Sequence, residues 1–175
     1  MNDPVVSVII PTHNRRVLLE QTLESVRAQT YPEWEALVVD DASTDDTVVY
    51  VRALSENHPR IMLHEREGDQ GGAQVCRNIG TRRARGDYLL FLDSDDLLAP
   101  TCLQGRVEVM RSRPDLDFGV FRMRMFERTP GDLPYLWNVD NDVNDLDRFL
   151  QRDMPWQTSG PLWRREGFAK VGPWD

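Results

Sequence analysis

Three carboxylates fall within four positions at Asp93, Asp95 and Asp96, directly after the apolar run Tyr88-Leu89-Leu90-Phe91-Leu92. With ordinary pKa values of about 4 they are ionised at neutral pH. Massing them without compensation is costly, so a counter-ion is expected. A hard divalent cation suits the position, because Mg²⁺ and Mn²⁺ favour oxygen ligands and Mg²⁺ is commonly held by one or two carboxylates plus substrate phosphates. A second acidic pair, Asp40-Asp41, closes the run Glu35-Ala36-Leu37-Val38-Val39. A third polar group, Pro11-Thr12-His13-Asn14, closes Val5-Val6-Ser7-Val8-Ile9-Ile10. A solvated turn would explain any one of these segments alone, but not the same arrangement three times over.

The elements that position these groups follow from the apolar patterning. Runs of four to six apolar, mostly β-branched residues bounded by turn signals read as strands buried on both faces of a parallel sheet. Between them, Leu19, Leu23 and Val26 recur at helical spacing in a helix from about Arg15 to Gln29, with Asn14 as its N-cap. Ser43 with Asp46 has the form of a capping box that opens a helix running to about Asn57, with Val48, Val51 and Leu54 or Ser55 inward. A short strand at Ile61–His64, a loop with Gly68, Gly71 and Gly72, and a helix from about Ala73 to Ala84 complete the approach to the central strand. Leu103, Val107 and Met110 mark a further helix, Phe118 to Met125 alternates as a strand, and residues 127 to 145 read as a surface loop. A short helix near Asp145 to Gln151 and a last strand at Leu162–Arg165 are expected after it. The predicted fold class is α/β: a Rossmann-like three-layer α/β/α sandwich with a mostly parallel central sheet and right-handed crossovers. In such a sheet ligands bind at the carboxyl ends of the strands, where Thr12, Asp40-Asp41 and Asp93-Asp95 all fall. One acidic cluster is then expected to hydrogen-bond a base or sugar and the other to take a metal bridging a diphosphate, which together describe a nucleotide ligand.

The blocks Ser7-Val8-Ile9-Ile10-Pro11-Thr12-His13-Asn14-Arg15, Val38-Val39-Asp40-Asp41-Ala42-Ser43-Thr44-Asp45, Arg77-Asn78-Ile79-Gly80 and Gly86-Asp87-Tyr88 through Asp96 resemble the family 2 glycosyltransferases of the GT-A fold. The resemblance spans about residues 5 to 175, and four ordered blocks are far more specific than one D-x-D. It implies an inverting enzyme that moves a sugar from a nucleotide donor, usually a UDP-sugar, to a hydroxyl on a saccharide, lipid or protein acceptor, with Mn²⁺ or Mg²⁺. Carried onto this sequence, it implies that Pro11, Thr12 and Asn14 line the nucleotide pocket and that Asp41 accepts from the base, with Asp40 beside it. Arg77 and Asn78 would face the donor, Asp93 the ribose or metal-bound water, and Asp95 the metal directly. Arg15 reads as a solvated first-turn residue. The family's general base lies beyond a Gly-x-(Phe/Trp)-Asp segment, which corresponds here to Gly172-Pro173-Trp174-Asp175, so the base is expected beyond Asp175 and the chain is expected to be a fragment. One domain over residues 1–175 is expected, with a nucleotide-binding part at about 5–125 and the start of an acceptor-side part at about 126–175.

Composition narrows the alternatives. The 21 basic and 29 acidic residues give a formal charge of −8, which disfavours nucleic acid and anionic membranes as partners. Cys76 and Cys102 lack metal spacing and read as buried reduced thiols, which with the absence of a leader or membrane-spanning run favours a cytoplasmic location. Any membrane association would then come from regions or partners outside this chain. A nucleotidyltransferase would need a Gly-rich basic loop after the first strand, which Pro11-Thr12-His13-Asn14-Arg15 does not supply. A phosphate-accepting signalling domain would need a lysine at a late strand end, and the only lysine is Lys170. A sugar-nucleotide binding module without turnover remains compatible with the residues. Trp156, Trp163 and Trp174 fit packing under the late loop better than an acceptor platform.

Overall fold

A computed structural model describes residues 5–138 and 144–175. In chain order its elements are β1 (Val6–Thr12), α1 (Arg16–Arg27), β2 (Trp34–Asp40), α2 (Thr47–Asn57), β3 (Ile61–Glu65), α3 (Ala73–Arg83) and β4 (Tyr88–Phe91). They continue with α4 (Cys102–Ser112), β5 (Phe118–Val120), β6 (Met123–Arg124), β7 (Leu136–Trp137), α5 (Asp145–Leu150), β8 (Pro161–Arg164) and α6 (Arg165–Val171).

Alternation along the strands divides the core in two. Val8 and Ile10 of β1, Ala36 and Val38 of β2 and Leu90 of β4 point to one face, against Leu19, Leu23 and Val26 of α1, Val51 of α2 and Leu103, Val107 and Met110 of α4. Ile9, Leu37, Leu89 and Phe91 point to the other, against Phe168 of α6 and Ala84 at the end of α3. The result is helices on both faces of a sheet ordered β3-β2-β1-β4-β8-β5. β1 pairs in parallel with β2 and β4, and β2 with β3, while β8 lies antiparallel between β4 and β5. Gly80 lets α3 lie directly on β1, because a Cβ there would enter Ile9 Cγ2. The register Thr12↔Asp40 aligns the carboxyl ends of β1 and β2, and β4, on the other side of β1, runs the same way.

The buried ends are tied by polar bonds as well as packing. Glu35, 1% exposed, accepts from Ser7 Oγ at 2.7 Å, from Arg85 N at 2.7 Å and from Arg85 Nη2 at 2.6 Å, fixing the turn that feeds β4. A buried carboxylate is tolerated only when so satisfied.

Several expectations are corrected. Asn14 does not cap α1: its φ of 49° is left-handed, the helix starts at Arg16 after Arg15, and its amide serves another loop. The Ser43–Asp46 capping box does not form, because the Ser43 hydroxyl turns back to Asp40 and α2 begins at Thr47. Phe118 to Met125 is not one strand, since β5 pairs with β8 whereas β6 turns away to pair with β7. α6 follows directly on β8 and was not expected. Within the predicted loop, β7 forms a short strand, and residues 139–143 lie outside the described residues, as do residues 1–4 of the N-terminal reading. Trp163 stacks on Phe118 with ring centres 4.3 Å apart, and Trp174 meets Phe91 edge-on at 5.2 Å, so both are packing residues. Both cysteines are free, Cys76 buried and Cys102 only half-buried.

Candidate active site

A cavity of about 440 Å³ opens at the carboxyl edge of the sheet, within the roughly 300–1,000 Å³ usual for small-molecule sites. Pro11, Thr12 and His13 from the end of β1, Asp41 from the end of β2 and Asp93, Ser94 and Asp95 from the end of β4 line it. Arg15 and, from α3, Ala73, Cys76 and Arg77 close the remaining sides. The Thr12 hydroxyl is buried without a partner among the described residues, as is Arg77 Nε. A buried polar atom left unpaired costs about 1–3 kcal/mol, so an orphaned hydroxyl in a cavity wall marks a place where a ligand atom is wanted.

Asp41 is clamped. Its carboxylate accepts from Arg66 Nε and, at 2.7 Å, from Gly72 N, so the loop between β3 and α3 is folded back onto the end of β2. The Arg66 and Asp41 side chains are 12% and 19% exposed. Gly72 takes a φ of 115°, which a side chain would resist, and this turns its N–H toward Asp41. Arg66 was missed from the sequence, for it sits at the edge of a Gly-rich loop with no periodic or motif signal. His13 Nδ1 donates to the Asp41 carbonyl at 2.6 Å and its Nε2 accepts from Asn14 Nδ2 at 3.2 Å, which together assign the tautomer.

Each outer carboxylate meets a guanidinium. Arg77 Nη2 donates to Asp93 Oδ1 at 2.7 Å, with the Arg77 side chain 13% exposed and its guanidinium 4.9 Å above the Trp174 ring. Arg15 Nη1 donates to Asp95 Oδ2 at 2.7 Å across two roughly half-exposed side chains. Arg15 is exposed, as expected, but it also lines the cavity and pairs with Asp95. Asp96 turns away: its Oδ2 accepts from the Ser159 hydroxyl at 2.5 Å, and burial pushes its carboxyl above the usual range. Burial, with the Asp41 charge next, pushes the Cys76 thiol up to about 11, so it is neutral in the wall.

Three sequence-predicted site residues do not line the cavity. Asp40, 2% exposed, accepts from Ser43 N at 2.8 Å and Ser43 Oγ at 2.5 Å, forming the loop that presents Asp41. The Asn14 side chain accepts from Thr44 N at 2.7 Å and holds that same loop against the end of β1. Asn78 Nδ2 donates to the Trp174 carbonyl at 2.8 Å while its Oδ1 accepts from Trp174 N at 2.9 Å, so it anchors residues 172–175. These roles are consequences of register: each side chain is one position away from the residue that faces the cavity.

A family model described as "Glycosyl transferase family 2" matches residues 7–159. The chain belongs to glycosyl transferase family 2. Over 110 residues it is 41% identical to TuaG of Bacillus subtilis, named a teichuronic acid biosynthesis glycosyltransferase; the match covers 63% of this chain and 43% of that protein. It is 34% identical over 110 residues to an Escherichia coli protein named UDP-Glc:alpha-D-GlcNAc-diphosphoundecaprenol beta-1,3-glucosyltransferase, covering 63% of this chain and 42% of that one. The solved mannosyltransferase of Pyrobaculum calidifontis, in complex with GDP-Man and Mn²⁺, superposes with a TM-score of 0.70 and 25% identity over 99% of this chain and 48% of that chain. The family 2 chain described here therefore spans less than half the length of these relatives. The GT-A-type α/β/α architecture expected from the sequence is the one found.

The cavity's donor set fits a hard divalent ion. Asp93 and Asp95 each spend one oxygen on a guanidinium and keep the other, and two carboxylates plus substrate phosphates are enough for Mg²⁺. Among the described residues no group of three or more His, Cys, Asp or Glu side chains is gathered for a metal, so phosphate oxygens would complete the shell. No helix among the described residues is long and apolar enough to cross a membrane.

Proposed function

We propose that this chain is the donor-binding part of a metal-assisted, inverting glycosyltransferase whose donor is a nucleotide-sugar, a UDP-sugar foremost. The observation that carries the reading is the lining of one cavity by the polar ends of β1, β2 and β4, with the Thr12 hydroxyl orphaned in its wall. The E. coli relative's name specifies a UDP-linked donor and a diphosphoundecaprenol acceptor, which supports UDP here and makes a lipid-linked acceptor the first to try.

In this reading Pro11, Thr12 and Asp41 receive the base and ribose, with Asp40 and Asn14 holding the loop that carries Asp41. Asp93 and Asp95 would hold Mn²⁺ or Mg²⁺, which when bound supplies Lewis-acid stabilisation of the charge on the departing diphosphate. Arg77 and Arg15, already drawn to those carboxylates, carry guanidinium forks suited to phosphate oxygens and would add fixed positive charge where negative charge develops. Asn78 acts indirectly, by fixing the segment behind Arg77. An inverting transfer also needs a base on the face opposite the leaving group to deprotonate the acceptor hydroxyl. None of the cavity residues is assigned that role.

Calorimetric titration of UDP with and without Mn²⁺ tests the donor site. Binding strengthened at least tenfold by Mn²⁺, and losing that gain in Asp95→Ala with circular dichroism unchanged, is the expected result. Absent or metal-indifferent UDP binding would remove the proposal, and the anomeric configuration of any transfer product tests inversion.

A further inference from the structure

Behind the donor cavity, one buried hydroxyl holds the turn that carries Asp93 and Asp95. Asp96 N donates to the Asp93 carbonyl at 3.0 Å, so residues 93–96 form a hydrogen-bonded turn just after β4. Both ends of that turn reach the same side chain. Asp93 N donates to Ser159 Oγ at 3.1 Å, and Ser159 Oγ donates to Asp96 Oδ2 at 2.5 Å. Ser159 is 1% exposed and is not among the residues lining the donor cavity, whereas Asp93, Ser94 and Asp95 are. The turn is therefore tied on its inner side and open on the side that faces the cavity.

Sheet pairing, over a long separation in sequence, brings Ser159 to this position. β8 runs antiparallel to β4 with Leu89 opposite Trp163, and counting outward along both chains brings Asp93 opposite Ser159. The Ser159 hydroxyl takes the Asp93 N–H where the backbone ladder has ended. Residues 159 and 160 are held from behind in turn: the Ser159 carbonyl accepts from Arg106 Nη1 at 3.0 Å, and the Gly160 carbonyl accepts from Phe121 N at 3.2 Å. Arg106 is 5% exposed and also meets the Cys102 side chain. Gly160 has no room for a side chain, since a Cβ there would enter Asn138 Nδ2. A serine hydroxyl carries one donor and two acceptor sites, so it can receive the amide and serve the carboxylate at once. Alanine in its place would leave both partners short of a bond.

We infer that Ser159 is a positioning residue for the metal-binding pair: by pinning both ends of the turn it fixes where Asp93 and Asp95 leave the backbone. The inference rests on the metal-assisted donor site proposed above. Arg77 and Arg15 each take one oxygen of Asp93 and Asp95, leaving the second oxygen of each for a cation. With the side chains drawn toward guanidinium groups and the backbone drawn toward Ser159, the two carboxylates keep a set separation. Mg²⁺ demands near-ideal octahedral geometry, and removing a group that orients metal ligands commonly lowers metal affinity by about 10–100-fold. The cavity residues from β1 and β2 do not depend on this turn, so the metal-dependent part of nucleotide binding is the part that Ser159 controls.

Calorimetric titration of UDP, without metal and at saturating Mn²⁺, on the parent chain and on Ser159→Ala is the test. The affinity gained from Mn²⁺ is expected to fall about tenfold in Ser159→Ala, with metal-free UDP affinity unchanged within about twofold. A role confined to stability would lower the melting temperature and leave that ratio alone. Ser159→Thr, which keeps the hydroxyl, is expected to restore the gain. Should Ser159→Ala fail to fold, Asp96→Ala provides the second arm, because it releases one end of the turn and is expected to lose about threefold of the gain. Asp96→Asn, which keeps an oxygen acceptor for the Ser159 hydroxyl, is expected to retain it. In the chain free of metal and nucleotide, amide exchange at Asp93 should accelerate in Ser159→Ala. A full Mn²⁺ gain in Ser159→Ala or Asp96→Ala, or an equal fall in metal-free and Mn²⁺-supported binding, would overturn the inference. A parent chain with no Mn²⁺ gain would instead overturn the donor site itself, and this inference with it.

Discussion

The clamp on Asp41 makes a quantitative claim that a double-mutant cycle can check. Asp41→Ala, Arg66→Met and the double variant are the perturbations. The two side chains are 19% and 12% exposed, so solvent screening removes little of their interaction. Hydrogen bonds to charged groups contribute about 1.5–3 kcal/mol. Asp41→Ala also frees Gly72 N, which adds about 1 kcal/mol for a lost backbone partner. Asp41→Ala is therefore expected to cost about 3 kcal/mol, Arg66→Met about 2 kcal/mol, and the double variant little more than the worse single one. The coupling energy should come to about 2 kcal/mol, well above the level expected for additive sites. Urea unfolding of the four proteins at pH 7 measures it, and amide exchange at Gly72 should accelerate in Asp41→Ala more than in Arg66→Met. A coupling below about 0.5 kcal/mol, the level of an exposed ion pair, would refute the clamp as a structural element.

Other consequences are as direct. Gly80→Ala places a Cβ in hard overlap with Ile9 Cγ2, and overpacking toward the upper end of its range, about 2–3 kcal/mol, less about 1 kcal/mol of helix propensity leaves about 1–2 kcal/mol, which should lower the melting temperature by roughly 2–8 °C; an unchanged or raised value in a thermal scan would contradict the packing of α3 on β1. Asp96 has a raised folded pKa, so its ionised form destabilises the fold above that pKa and the cost disappears as pH falls toward about 4. Asp96→Asn should be more stable than the parent at pH 7 and lose that advantage by pH 4, read from urea midpoints across the range. His64, half-buried with Nε2 unpartnered among the described residues, has its pKa lowered first by burial and then by Arg83, so the fold favours its neutral form. Stability should decline as pH drops below about 6.5, and His64→Leu should flatten the profile between pH 6.5 and 5; an unaltered slope in the variant would exclude His64 as the cause.

Much of this was legible in the chain. The apolar runs ending in Ile10, Val39 and Leu92 announced strands buried on both faces, and the acids after them announced the loaded edge of a parallel sheet. What spacing could not reveal is which of two neighbours points inward. Asp40 and Asp41 look alike in sequence, yet one ties a loop and the other lines the cavity, because successive residues leaving a strand diverge. Asn78 likewise sits beside Arg77 but turns to the Trp174 backbone instead of the cavity. Ser43 fulfilled the form of a capping box and was claimed by a nearer carboxylate. The antiparallel placement of β8 between β4 and β5 depends on pairing over more than seventy positions, which no local pattern encodes. Arg15, Arg66 and Arg106 carried no signal, since an arginine's partner is known only once the chain has folded.

The reciprocal bonding of Asn78 with Trp174 has a mechanical corollary. Consecutive side chains of α3 pull in different directions, Arg77 toward Asp93 and Asn78 toward the closing segment, while Gly80 beds the same helix on β1. Axial sliding or rotation of α3 would break all three anchorages at once. Accommodation of an arriving molecule must then come from the free ends of long side chains pivoting on a stationary frame.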